Sequence, residues 1–348
     1  MITPTAFWAI VSFLFGVTIG SFLNAVIYRL PNNLSLLEPK HSICPNCKHT
    51  LSAFDLVPLF SFLLIGRRCR YCKKPISWRY FNVELLTGCL FTIIYLHFSA
   101  PQEAATAITL LAFTAVLIPV FFIDLATFTI PDSLNILLFV IPVGRDIYGI
   151  ALHESGHKLL WGWCPLSLLG ALAGSLIFGA VRLAGWVWKG VEAMGLGDVL
   201  LGRGMGAMLI SIVAPGADPL RLLPIWVLLS LLSGIIVGPL LIWLRLKSLP
   251  GKNHEPLADE PQETGREGTF AGQITAILWC LVLGDLWAYL YDLVRPRAHI
   301  KELSLEDDDW VPAPTAIPFG PFLVVGFLAT LFIGEPLTAA YLAFAFRR

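Results

Sequence analysis

Charge is what this chain has least of. Only 14% of its 348 residues are Asp, Glu, Lys or Arg, against 56% hydrophobic. A soluble protein carries roughly 25% charged residues, so a soluble globular fold is excluded and a polytopic membrane protein is expected. The first thirty residues also lack the basic start and small-residue cleavage site of a secretory signal. Their charges, Arg29 and then Lys40, come after the apolar stretch, which reads as an uncleaved first span with its N-terminus outside. No internal repeat is visible. Cysteine is sparse: four of the seven form two Cys-x-x-Cys pairs, and Cys89, Cys164 and Cys280 fall in or beside apolar segments. Those three read as small packing residues. Aromatics are plentiful, and the 11 Trp and 23 Phe suit membrane-interface belts as well as a large core.

A spanning helix needs ~20 mostly apolar residues. Candidate segments are 6–29, 82–100, 104–123, 133–152, 165–187, 199–215, 222–246, 270–292 and 319–345, with 199–215 short and glycine-containing. The expectation is an all-α polytopic membrane protein of about eight transmembrane helices with a cytoplasmic zinc-knuckle loop. Its parts are a first helix (1–29), a cytoplasmic zinc-binding loop domain (30–81) and a transmembrane catalytic core (82–246). An atypical insertion (247–316) follows, holding the extra apolar segment 270–292, and then a final helix (317–348).

Orientation follows from Lys and Arg in short loops. Residues 29–80 hold nine of them: Arg29, Lys40, Lys48, Arg67, Arg68, Arg70, Lys73, Lys74 and Arg79. That loop is expected in the cytoplasm, and alternation then brings Asp124 and Asp198 to the same face. Acidic residues are costly near hydrocarbon, so a membrane protein that keeps them there usually uses them. Two carboxylates at one face are the minimum kit for aspartic-type peptide hydrolysis. One pKa rises, the pair shares a proton, the ionised partner draws a proton from water and the protonated one polarises the scissile carbonyl. Taken singly, Asp124 also fits a solvated loop carboxylate and Asp198 a helix N-cap. Gly195 and Gly197 before Asp198 permit a sharp turn and a close approach. Asp132, directly after Pro131, is the rival to Asp124 and looks more like a cap for the next helix.

Cys44-Pro-Asn-Cys47 and Cys69-Arg-Tyr-Cys72, separated by 21 residues, have the spacing of two zinc knuckles completing a four-sulfur shell. Arg68, Arg70, Lys48 and Lys73 are expected to lower the thiol pKa values. The alternative is a pair of disulfides, which a reducing compartment disfavours. A closed four-sulfur site is structural and takes no part in hydrolysis.

The chain resembles the type IV prepilin peptidases, bifunctional leader peptidase and N-methyltransferase enzymes and membrane aspartic peptidases of the Gly-x-Gly-Asp type. The matching pieces are Gly20-Ser-Phe-Leu-Asn-Ala-Val-Ile-Tyr-Arg-Leu-Pro31, the two knuckles, and Pro75-Ile-Ser-Trp-Arg-Tyr-Phe-Asn-Val-Glu-Leu-Leu-Thr-Gly88. Then come Phe122-Ile-Asp-Leu with Ile130-Pro-Asp132, Met194-Gly-Leu-Gly-Asp198 and Ile317-Pro-Phe-Gly-Pro-Phe-Leu323. The family's catalytic aspartates fall on Asp124 and Asp198. The resemblance implies removal of the basic leader of prepilins or pseudopilins, after a glycine and usually before phenylalanine. N-methylation by S-adenosylmethionine follows. It also implies the bacterial inner membrane, an active site at the cytoplasmic face, and type IV pilus or type II secretion substrates. The lipid bilayer is the other partner and no nucleic acid is expected. The methyl half rests on the family alone, and the donor-binding residues are unknown.

Two departures stand out. The family commonly has lysine two residues after the Gly-x-Gly-Asp aspartate, where this chain has Leu200, with Arg203 one turn on as a possible substitute. The family also has a short connection where 247–316 lies, and 270–292 carries Asp285 and Asp292. The segment is expected to be re-entrant or interfacial, with 295–316 cytoplasmic. Competing readings are a peptidase without methyltransferase activity, a proton-coupled membrane transporter, which would place its acids near the midplane, and an inactive pilus-assembly scaffold.

Overall fold

The computed structural model describes residues 3–36, 42–44, 46–152, 165–189, 194–212, 218, 220–248, 269–281 and 317–345. Every described element is helical, apart from isolated bridges between single residues. Among the described residues, seven helices are long and apolar enough to cross a membrane. The chain divides into two compact units, Met1–Thr127 and Phe128–Arg348, so the boundary falls inside the expected 82–246 core.

The first unit contains α1 (Pro4–Arg29), the short α2 (Phe60–Leu64), α3 (Trp78–His97) and α4 (Ala104–Thr127). Thr3 caps α1 by accepting the Ala6 amide at 3.3 Å, and Pro4 follows at the first helical position, where its missing N–H costs nothing. Helices α1 and α3 run antiparallel with their backbones almost touching. A Cβ on Gly20 would stand 2.8 Å from Glu84 Cα, and one on Gly16 2.8 Å from the Thr87 carbonyl oxygen. Small residues matter here because helices in lipid associate by packing and hydrogen bonds rather than by escape from water. Ser12 Oγ donates to the Phe91 carbonyl and Asn24 Nδ2 to the Tyr80 carbonyl, both at 3.0 Å. Cys89 is exposed on α3, so it is not the packing residue its apolar setting suggested.

The second unit contains α5 (Asp132–Ala151), α6 (Ser167–Lys189), α7 (Leu196–Ser211), α8 (Leu222–Ser248), α9 (Phe270–Leu281) and α10 (Gly320–Ala345). Helix α7 is its axis, buried at every residue from Val199 to Ser211. A Cβ on Gly170 or Gly174 of α6 would overlap the backbone of Gly206 or Gly202 of α7. That antiparallel crossing therefore tolerates no larger side chain. Helix α5 runs parallel to α7 on another side, with Leu138 against Gly204. The far ends of three helices meet on one carboxylate. Asp146, fully buried in α5, accepts the Ser167 amide at the start of α6 (2.5 Å) and the Ser211 hydroxyl at the end of α7 (2.6 Å).

Helices α8 and α10 are antiparallel. Trp226 Nε1 donates to the Leu323 carbonyl at 3.2 Å, Gly238 lies beside Ile317, and Arg221 pairs with Glu335 at the other end. The chain therefore leaves α8 and enters α10 at the same end of the unit. Asp285, Asp292 and 295–316 lie outside the described residues.

The Asp146 anchor predicts a specific loss. Asp146→Ala leaves a helix-start N–H and a buried hydroxyl without this acceptor, costing roughly 1–3 kcal/mol. Its thermal unfolding midpoint in detergent should fall by several degrees, whereas Asp132→Ala, at an exposed position, should leave it unchanged.

Candidate functional site

The two Cys-x-x-Cys segments fold into matching knuckles, offset by 25 residues. In the first, Cys44 N–H donates to the His49 carbonyl at 3.0 Å and Lys48 N–H to the Cys44 carbonyl at 2.9 Å. In the second, Cys69 N–H donates to the Lys74 carbonyl and Lys73 N–H to the Cys69 carbonyl, both at 2.9 Å. Lys48 and Lys73, each following the second cysteine, both turn to positive φ, 58° and 59°. The knuckles are thus a local repeat, too short to register as one along the sequence. Their four Sγ atoms lie within 4.8 Å of one another, and the Cys44 and Cys72 sulfurs are 4.0 Å apart. Zn–S bonds of ~2.3 Å at tetrahedral angles put sulfurs about 3.8 Å apart, so this donor set fits a metal ion. All four thiols are free in this structure.

The thiols do not ionise alike. The Cys72 amide, then that of Tyr71, draws the Cys69 thiol down to about 7 against the opposing effect of desolvation. Backbone donors, rather than the flanking arginines and lysines, are the main cause. At Cys47 the His49 amide lowers the pKa, but desolvation and the Cys44 and Cys72 thiols outweigh it and push the group up to about 11. Four sulfurs this close ionise together only when a cation sits among them.

The rings of His49 and Tyr71 meet across the knuckles, tilted by 39° with centroids 3.7 Å apart. Tyr71 Oη donates to Asp55 Oδ2 at 3.1 Å, as do the Ser52 amide (3.0 Å) and hydroxyl (2.8 Å), while Arg70 lies 3.7 Å from Oδ1. Desolvation opposes ionisation of Asp55, but the Ser52 bonds, the Tyr71 hydroxyl and the Arg70 charge together hold it below the ordinary carboxylate range. The loop is tied to the helix pair at Glu84, a residue of α3 that is only 9% exposed. Its Oε2 accepts the Leu59 amide at 2.8 Å, and the Ser21 hydroxyl also donates to the carboxylate. Sequence reading passed over Glu84 although its signal was present, a lone acid within an apolar segment.

Asp124 lies in the last turn of α4 and is only 4% exposed. The apolar run predicted a helix ending at 123 with Asp124 outside it; the helix continues to Thr127, whose hydroxyl bonds back to the Ile123 carbonyl at 2.9 Å. The solvated-loop alternative is therefore wrong. Asp198 is the third residue of α7, and the N-cap is Gly195, so Asp198 is not the cap either. A Cβ on Gly195 would stand 3.8 Å from Asp198 Oδ2, so the carboxylate folds back over the turn, beside the positive end of the helix dipole. Pro131 is likewise the N-cap of α5, and Asp132 is its first residue, exposed.

Within the second unit the structure brings the Ile130–Pro131 segment to the Gly195–Asp198 turn. A Cβ on Gly197 would stand 3.5 Å from Ile130 Cβ, and the buried Asn135 donates Nδ2 to the Gly197 carbonyl at 3.5 Å. Asp124 belongs to the first unit and Asp198 to the second. Leu200 is buried, and the guanidinium of the equally buried Arg203 lies 4.7 Å from the centroid of the Phe139 ring of α5.

The family profile described as the Bacterial Peptidase A24 N-terminal domain matches residues 14–98, from α1 through the knuckles to the end of α3. Similarity to whole proteins goes further. The prepilin leader peptidase/N-methyltransferase of Myxococcus xanthus (strain DK1622) is 32% identical over 336 residues, 94% of this chain and 90% of that protein. The chain belongs to the prepilin leader peptidase/N-methyltransferase family. The protein of that name from Aeromonas salmonicida (strain A449) is 34% identical over 79% of this chain and 92% of its own length. Another, from Burkholderia pseudomallei (strain 1026b), is 28% identical over 69% and 78%. No solved structure matches the chain.

The Asp55 network gives a pH-dependent expectation. A carboxylate with a depressed folded pKa stabilises the fold above its unfolded pKa, and the contribution is lost as pH falls through the folded value. At neutral pH, Asp55→Asn should therefore speed amide hydrogen exchange across residues 50–72. Once the pH lies below the depressed folded pKa of Asp55, the variant and the parent chain should exchange alike.

Proposed function

We propose that this member of the family is a membrane-embedded aspartic endopeptidase of the bacterial inner membrane. It removes the basic leader of type IV prepilins or pseudopilins at the cytoplasmic face and N-methylates the new N-terminal residue. The observation that carries the reading is the near full-length similarity to the Myxococcus xanthus relative, which spans both units. The seven apolar helices among the described residues support the multi-pass location, and the nine cations of 29–80 support the cytoplasmic placement of the loop.

In the proposed mechanism Asp124 and Asp198 act as a pair sharing one proton, because two adjacent carboxylates cannot both ionise easily. The ionised partner takes a proton from water as its oxygen attacks the scissile carbonyl carbon. The protonated partner hydrogen-bonds to the carbonyl oxygen, where negative charge grows. Collapse of the tetrahedral intermediate breaks the C–N bond, and the departing amine takes up a proton from the pair. Burial of Asp124 and the seating of Asp198 in the first turn of α7 support these roles. Gly195 and Gly197 let the turn form, and Pro131 with Asp132 starts the helix whose approach abuts it.

Cys44, Cys47, Cys69 and Cys72 would hold a structural zinc ion, which supplies the positive charge that lets all four sulfurs ionise. Methylation with S-adenosylmethionine enters through the relatives' shared name alone. Nothing in the fold favours a transporter, a peptidase lacking methylation or an inactive scaffold.

Asp124→Asn and Asp198→Asn should each abolish leader removal from a prepilin while the chain still folds and inserts, and Asp132→Asn should keep much of its activity. Near-normal cleavage by either of the first two would sink the paired-acid mechanism. Metal analysis of the purified chain should give one zinc per chain, lost in Cys69→Ser. A metal-free preparation of full stability and activity would refute the zinc assignment.

A further inference from the structure

Helix α9 sits in the 247–316 region, where the family resemblance leads one to expect only a short connection. It packs into the second unit antiparallel to α6. Ile277 lies against α6, since a Cβ on Gly179 would stand 3.1 Å from Ile277 Cγ2, and both Ile277 and Gln273 are buried. The start of the helix is fixed by Thr269, whose carbonyl accepts the Gln273 amide at 3.0 Å and whose hydroxyl accepts the Gly272 amide at 3.1 Å.

Gln273 does more than fill space. Its Oε1 accepts a hydrogen bond from Nε of Arg182 on α6 at 3.0 Å, and Nη1 of the same guanidinium donates to the Met194 carbonyl at 2.7 Å. Arg182 is 3% exposed and Met194 6%. Met194 immediately precedes Gly195, the N-cap from which α7 starts, and Asp198 is three residues beyond. A guanidinium is planar, so fixing Nε fixes the direction in which Nη1 points. In a buried setting of low dielectric such bonds are strong and costly to leave unmade. The carbonyl held by Arg182 sets where the Gly195 turn begins, and the turn sets where the Asp198 carboxylate lies.

We propose that α9 is a brace for the aspartate turn. Gln273, acting through Arg182 on the Met194 carbonyl, is a positioning residue for peptide cleavage. This rests on the reading of Asp198 as a catalytic acid. It assigns α9 a role in hydrolysis that acts through the position of Asp198.

The test uses the full chain in detergent or vesicles, with a prepilin as substrate for cleavage and a trimmed pilin peptide as substrate for methylation. Gln273→Met keeps the length of the side chain and removes the acceptor; Gln273→Glu keeps the acceptor. Displacement of a reacting group by about 1 Å costs on the order of 100-fold in rate. Gln273→Met should therefore lower kcat for cleavage by about 10- to 100-fold, with KM and methylation of the trimmed peptide unchanged and the unfolding midpoint lowered by a few degrees but still well above the assay temperature. Gln273→Glu should restore most of kcat, and Gln273→Met combined with Arg182→Lys should be no slower than Arg182→Lys alone. The brace is overturned by wild-type kcat in Gln273→Met, by failure of Gln273→Glu to rescue, or by a loss of kcat that merely follows a loss of stability. If instead Asp198→Asn cleaves like the parent chain, the catalytic reading fails first and the brace with it.

Discussion

Hydrocarbon offers no hydrogen-bond partner, so a chain that spans it must match its polar groups from within. Almost every distinctive contact in this structure answers that constraint. Asp146 collects the start of α6 and the end of α7 on one carboxylate. Glu84 accepts the Leu59 amide of the knuckle loop, and Trp226 spends its indole N–H on the Leu323 carbonyl of the neighbouring helix. In each case the polar side chain lies on one helix and its partner on another segment. The groups that lipid would penalise are therefore the ones that specify which elements meet.

The same constraint explains where the most recognisable stretches of sequence lie. Gly20–Pro31 and Pro75–Gly88 face one another across the α1–α3 crossing, where backbones touch and Asn24 reaches the Tyr80 carbonyl. Ile317–Leu323 opens α10, with Ile317 beside Gly238, Phe319 against Phe178 and the Leu323 carbonyl receiving Trp226. Met194–Asp198 is held by Arg182 and lies beside Ile130. These are close approaches, where side-chain size and hydrogen-bonding capacity are fixed together, whereas the lipid-facing remainder need only be apolar.

Outside the spans the stabilising logic changes. The knuckles rely on tight turns whose amides point at sulfur, with His49, Tyr71, Asp55 and Ser52 linking one turn to the other. Charge is held there by directed backbone donors at short range. That is why the abundant lysines and arginines of the loop matter less to the thiols than their number suggested.

Much was written locally. Apolar runs of the right length fixed the existence of the spanning helices, because hydropathy is a property of contiguous residues. The two Cys-x-x-Cys turns foretold a four-sulfur cluster for a similar reason, since each turn is made by neighbours in the chain. Asp124 and Asp198 stood out as acids at apolar boundaries. The boundaries themselves were less legible: α4 runs past its last apolar residue to enclose Asp124, and α7 begins before its apolar run because Gly195 can cap it. What only the tertiary structure decided was partnership. Gln273 and Arg182 are 91 residues apart and Glu84 and Leu59 are 25 apart, and no local pattern marks either pair. A buried polar group announces that it needs a partner, but which one it finds depends on which helix ends the packing of whole helices brings together.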